Sequence, residues 1–366
     1  MLFDFFPSRT LTIYLAKTFF LRIFAVLIML VAILQMLDLL TESADILAYP
    51  GNSEAQLWTY VTLRVPQLIA RFLPYSVLLA TIITLATLNQ NSEVIAMKSA
   101  GMSAHQILAP LLITAAVIAG LSFTFNERIV TRSTATLKAW SAADYGPVPT
   151  ESAVRSNVYL NDGGDILYAA VVSGSGDNIV MSGVTYYQRD ERGMITRELR
   201  SEDAHYANPG WRLKSPTLFD VQTADTRSLG EDLLIARGLT PRQVEISSVD
   251  PDSQPLPQLS ASIASLRDAN RPTAELEGKW WHKISGPLSA VLMPLLGAVA
   301  GFGLARSGQL FVRAVIGMAL GFAYFVVDNA ALAMGSFGGY PPFLAAWLPF
   351  FLFLLVGETV LIRTEE

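Results

Sequence analysis

The chain has 366 residues, 52% hydrophobic and 16% charged, with a mean hydropathy of +0.40, a balance that departs from soluble usage and assigns much of it to lipid. It contains no cysteine, which excludes a disulfide framework, a thiolate metal site and a cysteine nucleophile. The formal net charge of -5 sums an acidic middle and weakly charged hydrophobic ends, so it identifies no partner.

Hydrocarbon about 30 Å thick needs roughly 20 apolar residues at 1.5 Å each. Six stretches qualify: Phe19 to Leu37, Phe72 to Leu88, Ile107 to Phe125, Ile284 to Ala305, Ala314 to Ala333 and Phe343 to Ile362. The first lacks a small-residue cleavage site and is followed by Asp38 and Glu42, so it is expected to be a retained span. Arg22, Asp328 and Glu358 fall near helix ends and are expected to reach water. Arg9, Lys17, Lys98, Arg306, Arg313 and Arg363 share one set of alternating segments, whereas the loops 39–60 and 335–342 carry no Lys or Arg. The positive-inside rule then puts both termini in the cytoplasm and the polar middle on the far side.

In that middle the period changes from 3.6 to 2. Val158 to Leu160 and Ile166 to Val171, joined by Asn161, Asp162, Gly163 and Gly164, predict a hairpin. Further strands are expected at Gly183 to Tyr187, Met194 to Leu199, Trp211 to Leu213 and Leu218 to Val221, with turns at Asp190 to Gly193 and Asn208 to Gly210. Short strands at this spacing suggest a sandwich or jelly roll. Pro251 to Pro257 reads as a linker to a helix over Ser260 to Asn270. The organisation is therefore a six-helix membrane bundle with an inserted all-β domain: residues 1–125 hold three spans, 126–279 the β domain and linker helix, and 280–366 three more spans.

Chemical motifs are scarce. No G-x-x-x-x-G-K-[ST] loop occurs, so an ATP-driven role requires another subunit. His105, His205 and His282 are scattered and form no metal triad, and Asp162 with Asp165 is accounted for by turn chemistry. Gly297 to Gly301 and Gly317 to Gly321 are small-xxx-small patterns, serving either packing within the chain or a partner membrane subunit. Residues 91–103 form a candidate amphipathic surface helix: Asn91 or Ser92 can cap it, Glu93 lies in its first turn, Val94, Met97 and Gly101 share a face, and Gly101 can end it. From physics alone it rests in the interface or docks on a partner.

Leu73-Pro74, followed by Leu88-Asn89-Gln90-Asn91-Ser92-Glu93 and by Met97 and Ala100-Gly101-Met102-Ser103, resembles the pattern of the lipopolysaccharide export permeases, the LptF/LptG (YjgP/YjgQ) family. Gln35 to Asp38 and Val65-Pro66 look closer to LptG. The resemblance implies an inner-membrane permease of a Gram-negative bacterium, paired with an LptF-like permease and driven by an LptB-like ATPase dimer. Glu93, Val94, Met97, Gly101 and Met102 would couple to that ATPase. A periplasmic β-jelly roll would join LptC-like and LptA-like proteins in carrying lipopolysaccharide, which would enter between the first span of one permease and the fifth of the other.

Relatives carry lysines at the outer end of the first span, where this chain has Gln35, Thr41 and Glu42. Arg64 and Arg71, together with Gln35 and Asp38, are the substitute headgroup candidates; the alternative for the arginines is snorkelling or an ion pair with Asp38 or Glu42. Lipid is expected to pass along Val158, Leu160, Leu167, Ala169 and Val171. The resemblance implies no cofactor and no nucleic-acid partner. The rival is a mechanotransmitting ABC permease for another substrate such as lipoproteins, a class that places its outer domain after the first span.

Overall fold

A computed structural model describes residues 8–148, 155–174, 176–247, 249–268, 271–301 and 310–365. The chain opens with α1 (Arg9–Ala48), α2 (Glu54–Gln90), α3 (Glu93–Ser99) and α4 (Ala104–Phe125), and a π-helical turn (Asn126–Val130) leads into α5 (Thr131–Ala142). Eight strands follow: β1 (Arg155–Asp162), β2 (Asp165–Ser173), β3 (Val180–Arg189), β4 (Ile195–Ala207), β5 (Gly210–Leu213), β6 (Thr217–Asp220), β7 (Asp225–Ser228) and β8 (Leu233–Ile235). Helices α6 (Pro241–Ser247), α7 (Leu256–Asp268), α8 (Ala274–Gly301), α9 (Leu310–Ser336) and α10 (Pro342–Glu365) complete it.

Among the described residues, five helices are long and apolar enough to cross a membrane: α1, α2, the continuous helix Ala104–Ala142, α9 and α10. The expected fourth span falls on α8, which is not among those five; Arg306 lies outside the described residues, as does the side chain of Arg313. Helices also run beyond their apolar cores. The first continues through Asp38 and Glu42 to Ala48, and the third passes through the π turn to Ala142, so the polar middle begins with helix rather than strand.

The described residues form two compact units, one of Met1–Leu37, Val65–Arg128 and Arg271–Glu366, the other of Asp38–Arg64 and Ile129–Asn270.

In the first unit, Leu15, Phe19, Ile23 and Leu27 repeat every four residues and bury one stripe of α1, while Leu21, Ile28 and Met36 on other faces are exposed. Only 28% of the most apolar window of α1 is buried, against 61% for α2, so α1 is peripheral and α2 central. Gly297 of α8 and Gly321 of α9 admit α2 closely: a Cβ at Gly297 would lie 2.8 Å from Thr81 Cγ2, and one at Gly321 would lie 2.2 Å from Leu78 Cδ2. These two small-residue notches therefore serve packing within the chain.

The second unit is built on an antiparallel sheet ordered β1-β2-β3-β4-β5-β8, in which the 13-residue β4 also pairs with β6, and β6 with β7. The expected hairpin forms with Gly163 and Gly164 at its tip and Asp162 opposite Asp165. Strands β7 and β8 and helix α6 have no counterpart in the sequence reading. Val158, Leu160, Leu167, Ala169, Trp211 and Leu213 pack into one core, and Trp211 Nε1 donates to Leu239 O at 2.9 Å.

Candidate functional site

The segment from Gln90 to Gln106 is a helix-turn-helix connection whose residue choices have local causes. Ser92 occupies the N-cap position of α3, yet its φ of 62° is left-handed and its hydroxyl makes no cap, so capping by Asn91 or Ser92 does not occur as expected. The N-terminal turn is held instead by Glu93, which accepts from the Tyr14 hydroxyl of α1 at 3.2 Å and from Asn91 Nδ2 at 3.3 Å. At the other end Gly101 (φ 87°) turns the chain; Met102 N donates to Met97 O at 3.1 Å and Gly101 N to Lys98 O at 3.0 Å, the paired bonds of a Schellman stop. Two residues on, Ser103 caps α4 through a reciprocal capping box with Gln106. The run Ala100-Gly101-Met102-Ser103 thus encodes a helix stop, a turn and a helix start.

The apolar stripe of α3 is corrected by the structure. Val94 and Met97 are buried, at 4% and 8% exposure, in the core of the chain's own bundle, and Met102 packs against the same core. What α3 leaves outward is Ile95, 50% exposed, with Ala96, Ser99 and Gly101. A seven-residue helix is too short to stand alone, so its hydrophobic face holds it to its own bundle.

The four headgroup candidates divide into three kinds. Arg64 and Asp38 pair bidentately, Nε to Oδ2 and Nη2 to Oδ1, both at 2.9 Å, and Tyr60 adds its hydroxyl to Oδ2 at 2.5 Å. That occupies the guanidinium of Arg64 within the chain. Arg71 is exposed and makes no hydrogen bond or ion pair among the described residues. Gln35 is 8% exposed, and neither its Oε1 nor its Nε2 finds a partner among the described residues.

In the sheet, Val158, Leu160, Leu167 and Ala169 share one closed core, but Val171 does not. It lies instead with Ala139 of α5 and Ala170. The alternation breaks because the lateral neighbours of Ala170, Asn157 (φ 54°) and Gly183 (φ 63°), are both left-handed, and a Cβ at Gly183 would come within 2.9 Å of Ala170 Cβ. Beneath the hairpin tip, burial followed by hydrogen bonds from its hydroxyl to Asp165 and Asp162 pushes Tyr186 well above the usual tyrosine range.

Several polar contacts were not legible in the sequence because their partners are distant. Asp328 does not reach water: it is 5% exposed and its Oδ2 meets His282 Nε2 at 2.9 Å. Lys283 lies 3.5 Å from Glu127, and His105 lies 3.2 Å from Glu358. In the second unit Tyr145 donates to Glu42 at 2.5 Å. Burial, then that hydrogen bond, pushes the Tyr145 phenol up to about 12. Among the described residues, no group of three or more His, Asp or Glu could hold a metal ion.

Comparison with known proteins agrees with this architecture over nearly the whole chain. The family model for "Lipopolysaccharide export system permease LptF/LptG" matches residues 13–363. The LptG permease of Escherichia coli K12 is 25% identical over 98% of this chain and 99% of its own length. That of Haemophilus influenzae Rd is likewise 25% identical, over the same shares of the two chains. The chain belongs to the LptF/LptG family of lipopolysaccharide export system permeases.

Proposed function

We propose that this chain is the LptG-like subunit of an ATP-driven transporter that takes lipopolysaccharide from the inner membrane and passes it to a periplasmic β-domain bridge. The observation that carries this reading is the short helix α3, pinned at both ends between two long apolar helices and presenting Ile95, Ala96 and Ser99 outward beside Glu93. A partner seated there would act on α2 and α4 through Val94 and Met97, which are embedded in the bundle core. The sequence carries no phosphate loop of its own, so the motor is a separate LptB-like dimer, and α3 and both termini face the cytoplasm.

An LptF-like permease completes the lateral wall, and the exposed face of α1 is the side offered to it and to lipid. Several acyl chains cannot pass through water when each Å² of apolar surface costs about 25 cal/mol. The route is therefore continuous with the β domain, where the packed core side chains Val158, Leu160, Leu167 and Ala169 would part to admit an acyl chain, and LptC-like and LptA-like proteins extend it. With Arg64 held by Asp38, the exposed Arg71 is the group available to a phosphorylated headgroup.

The test is Ile95→Glu in the co-expressed assembly. Placing a charge on the outward face of α3 is expected to remove the co-purifying ATPase and to lower stimulated ATP hydrolysis by about tenfold or more, the effect of burying one unpaired charge in an interface. Full ATPase occupancy with undiminished hydrolysis would remove α3 from the coupling role. A single cysteine introduced as Ser99→Cys into this cysteine-free chain reports the side: labelling by an impermeant maleimide from the periplasm would reverse the orientation.

A further inference from the structure

Two like charges, Asp38 and Glu42, stand one turn apart on α1 and repel, and each is met by its own partner. Asp38 takes the Arg64 fork at 2.9 Å and the Tyr60 hydroxyl at 2.5 Å, both from α2, while Glu42 takes the Tyr145 hydroxyl at 2.5 Å. Tyr145 follows the end of α5 and is aimed by two consecutive left-handed residues, Asp144 (φ 50°) and Tyr145 (φ 58°), a strained pair that persists only where its surroundings hold it.

The surroundings do hold it. Asn52 Nδ2, in the connection from α1 to α2, donates at 2.8 Å to both Ile46 O and Tyr145 O. Trp140 Nε1 donates to Gly146 O at 2.6 Å, and the Tyr145 ring meets Trp140 edge-on at 5.1 Å and Tyr60 at 6.4 Å. Ile46, Tyr60, Leu137, Trp140 and Tyr145 form one small buried core. The compact unit that contains the sheet also begins, on α1 and α2, at Asp38 and Arg64 themselves.

We propose that Tyr145 and Tyr60 are positioning residues that tie the C-terminal end of α1 and the N-terminal end of α2 to the end of α5, so that a displacement of the α1–α2 hairpin is carried into the β-bearing unit. This rests on the transport reading above and adds the element by which helix movement would reach the sheet. Neither tyrosine touches lipid in this role; each acts through the carboxylate it binds.

The experiment uses the full chain in its assembly and compares wild type, Tyr145→Phe and Glu42→Gln. Tyr145→Phe keeps the ring packing and deletes only the hydroxyl that meets a carboxylate, a bond strong enough that its loss should speed hydrogen exchange across 39–63 and 131–147 by about tenfold. Lipopolysaccharide released per ATP hydrolysed is expected to fall about fivefold, with the ATP hydrolysis rate within about twofold of wild type. Glu42→Gln retains an acceptor oxygen without the charge, so both measurements should fall between wild type and Tyr145→Phe.

The proposal is overturned if exchange is unchanged in Tyr145→Phe, if faster exchange leaves lipid per ATP unaltered, or if hydrolysis and release fall in proportion, as a merely structural lesion would give. Should the wild-type assembly release no lipopolysaccharide, the transport reading falls, while the exchange comparison still decides whether the hydroxyls hold the three helix ends together.

Discussion

A close contact whose cost can be worked from the structure is the notch at Gly297. A Cβ placed there lies 2.8 Å from Thr81 Cγ2 and 3.0 Å from Thr81 Cβ, whereas carbon atoms rest comfortably at about 3.5–4.0 Å. Thr81 cannot swing aside, since it is β-branched, fully buried and bonded through its hydroxyl to Val77 O at 2.7 Å. Gly297→Ala must therefore separate α8 from α2 by several tenths of an ångström along the contact, an overpacking cost of about 1–3 kcal/mol. In lipid, close packing is itself a main cohesive term between helices, so little else compensates. The assay is thermal aggregation of the purified assembly in detergent, with Gly297→Ala, Thr81→Ser and the double variant as a cycle. Thr81→Ser deletes Cγ2 and keeps the hydroxyl bond, so the double variant should recover part of the loss, a coupling of about 0.5 kcal/mol or more. Additive losses, or a Gly297→Ala variant that keeps its stability but sheds its partner permease, would refute packing against Thr81 as the role of the notch.

Leu167 has no exposed surface, so Leu167→Ala should cost about 2–5 kcal/mol and accelerate hydrogen exchange through β1, β2 and β3 of the full chain. Gly101→Val forces a β-branched residue into φ 87°; the strain of about 1–2 kcal/mol should unwind α3 and open 93–103 to limited proteolysis, whereas an intact protease-resistant turn would contradict the Schellman stop. The raised phenol of Tyr145 stabilises the folded unit in full below its ordinary value of 10.0, and that contribution is lost as pH rises through about 12; the loss is read as faster proteolysis of the α1–α2 hairpin in alkali and should be absent in Tyr145→Phe. Asp250 titrates the opposite way: burial raises its carboxyl, but the Lys138 ammonium at 2.6 Å and the Ser253 hydroxyl outweigh burial and hold it below the usual range. Its contribution is present above about pH 4 and fades as pH falls through the lowered folded value, a difference that Lys138→Met should erase in acid unfolding of the full chain.

Most of the membrane architecture could be read directly from hydropathy, because runs of about 20 apolar residues admit few alternatives. Helix ends were harder to read. The first and third helices continue past their apolar runs because Asp38, Glu42 and Lys138 find partners on other elements, at Arg64, Tyr145 and Asp250, and these contacts leave no local trace in the sequence. The hairpin at Gly163-Gly164 was legible from its turn residues and alternation. By contrast, β4 was expected to stop near Leu199 because its alternation blurs through Arg200, Glu202 and Asp203, yet pairing with β3 on one side and with β5 and β6 on the other sustains it to Ala207. On α3, periodicity shows which face is greasy and is silent on whether the chain itself or a partner covers it; the structure buries Val94 and Met97 in the chain's own bundle.

The ionisable residues of the bundle show how a helix arrangement in lipid acquires specificity. Dispersion and small-residue packing hold helices together but discriminate weakly among neighbours, since lipid tails are as apolar as leucine. On α8, His282 and Lys283 are consecutive and so point about 100° apart. One reaches Asp328 on α9 at 2.9 Å, and the other faces Glu127 in the π turn at 3.5 Å. Lys283 is 9% exposed and Asp328 5%, and a single such charge without its partner costs about 3–5 kcal/mol. Any alternative neighbour for α8 would strand two charges at once. Roughly four turns further along the same helix, the Gly297 notch selects α2 by shape instead. Helix α8 is thereby specified by charge over its first half and by close approach near its end, whereas α1, with 28% of its most apolar window buried, is held to the bundle mainly by one apolar stripe.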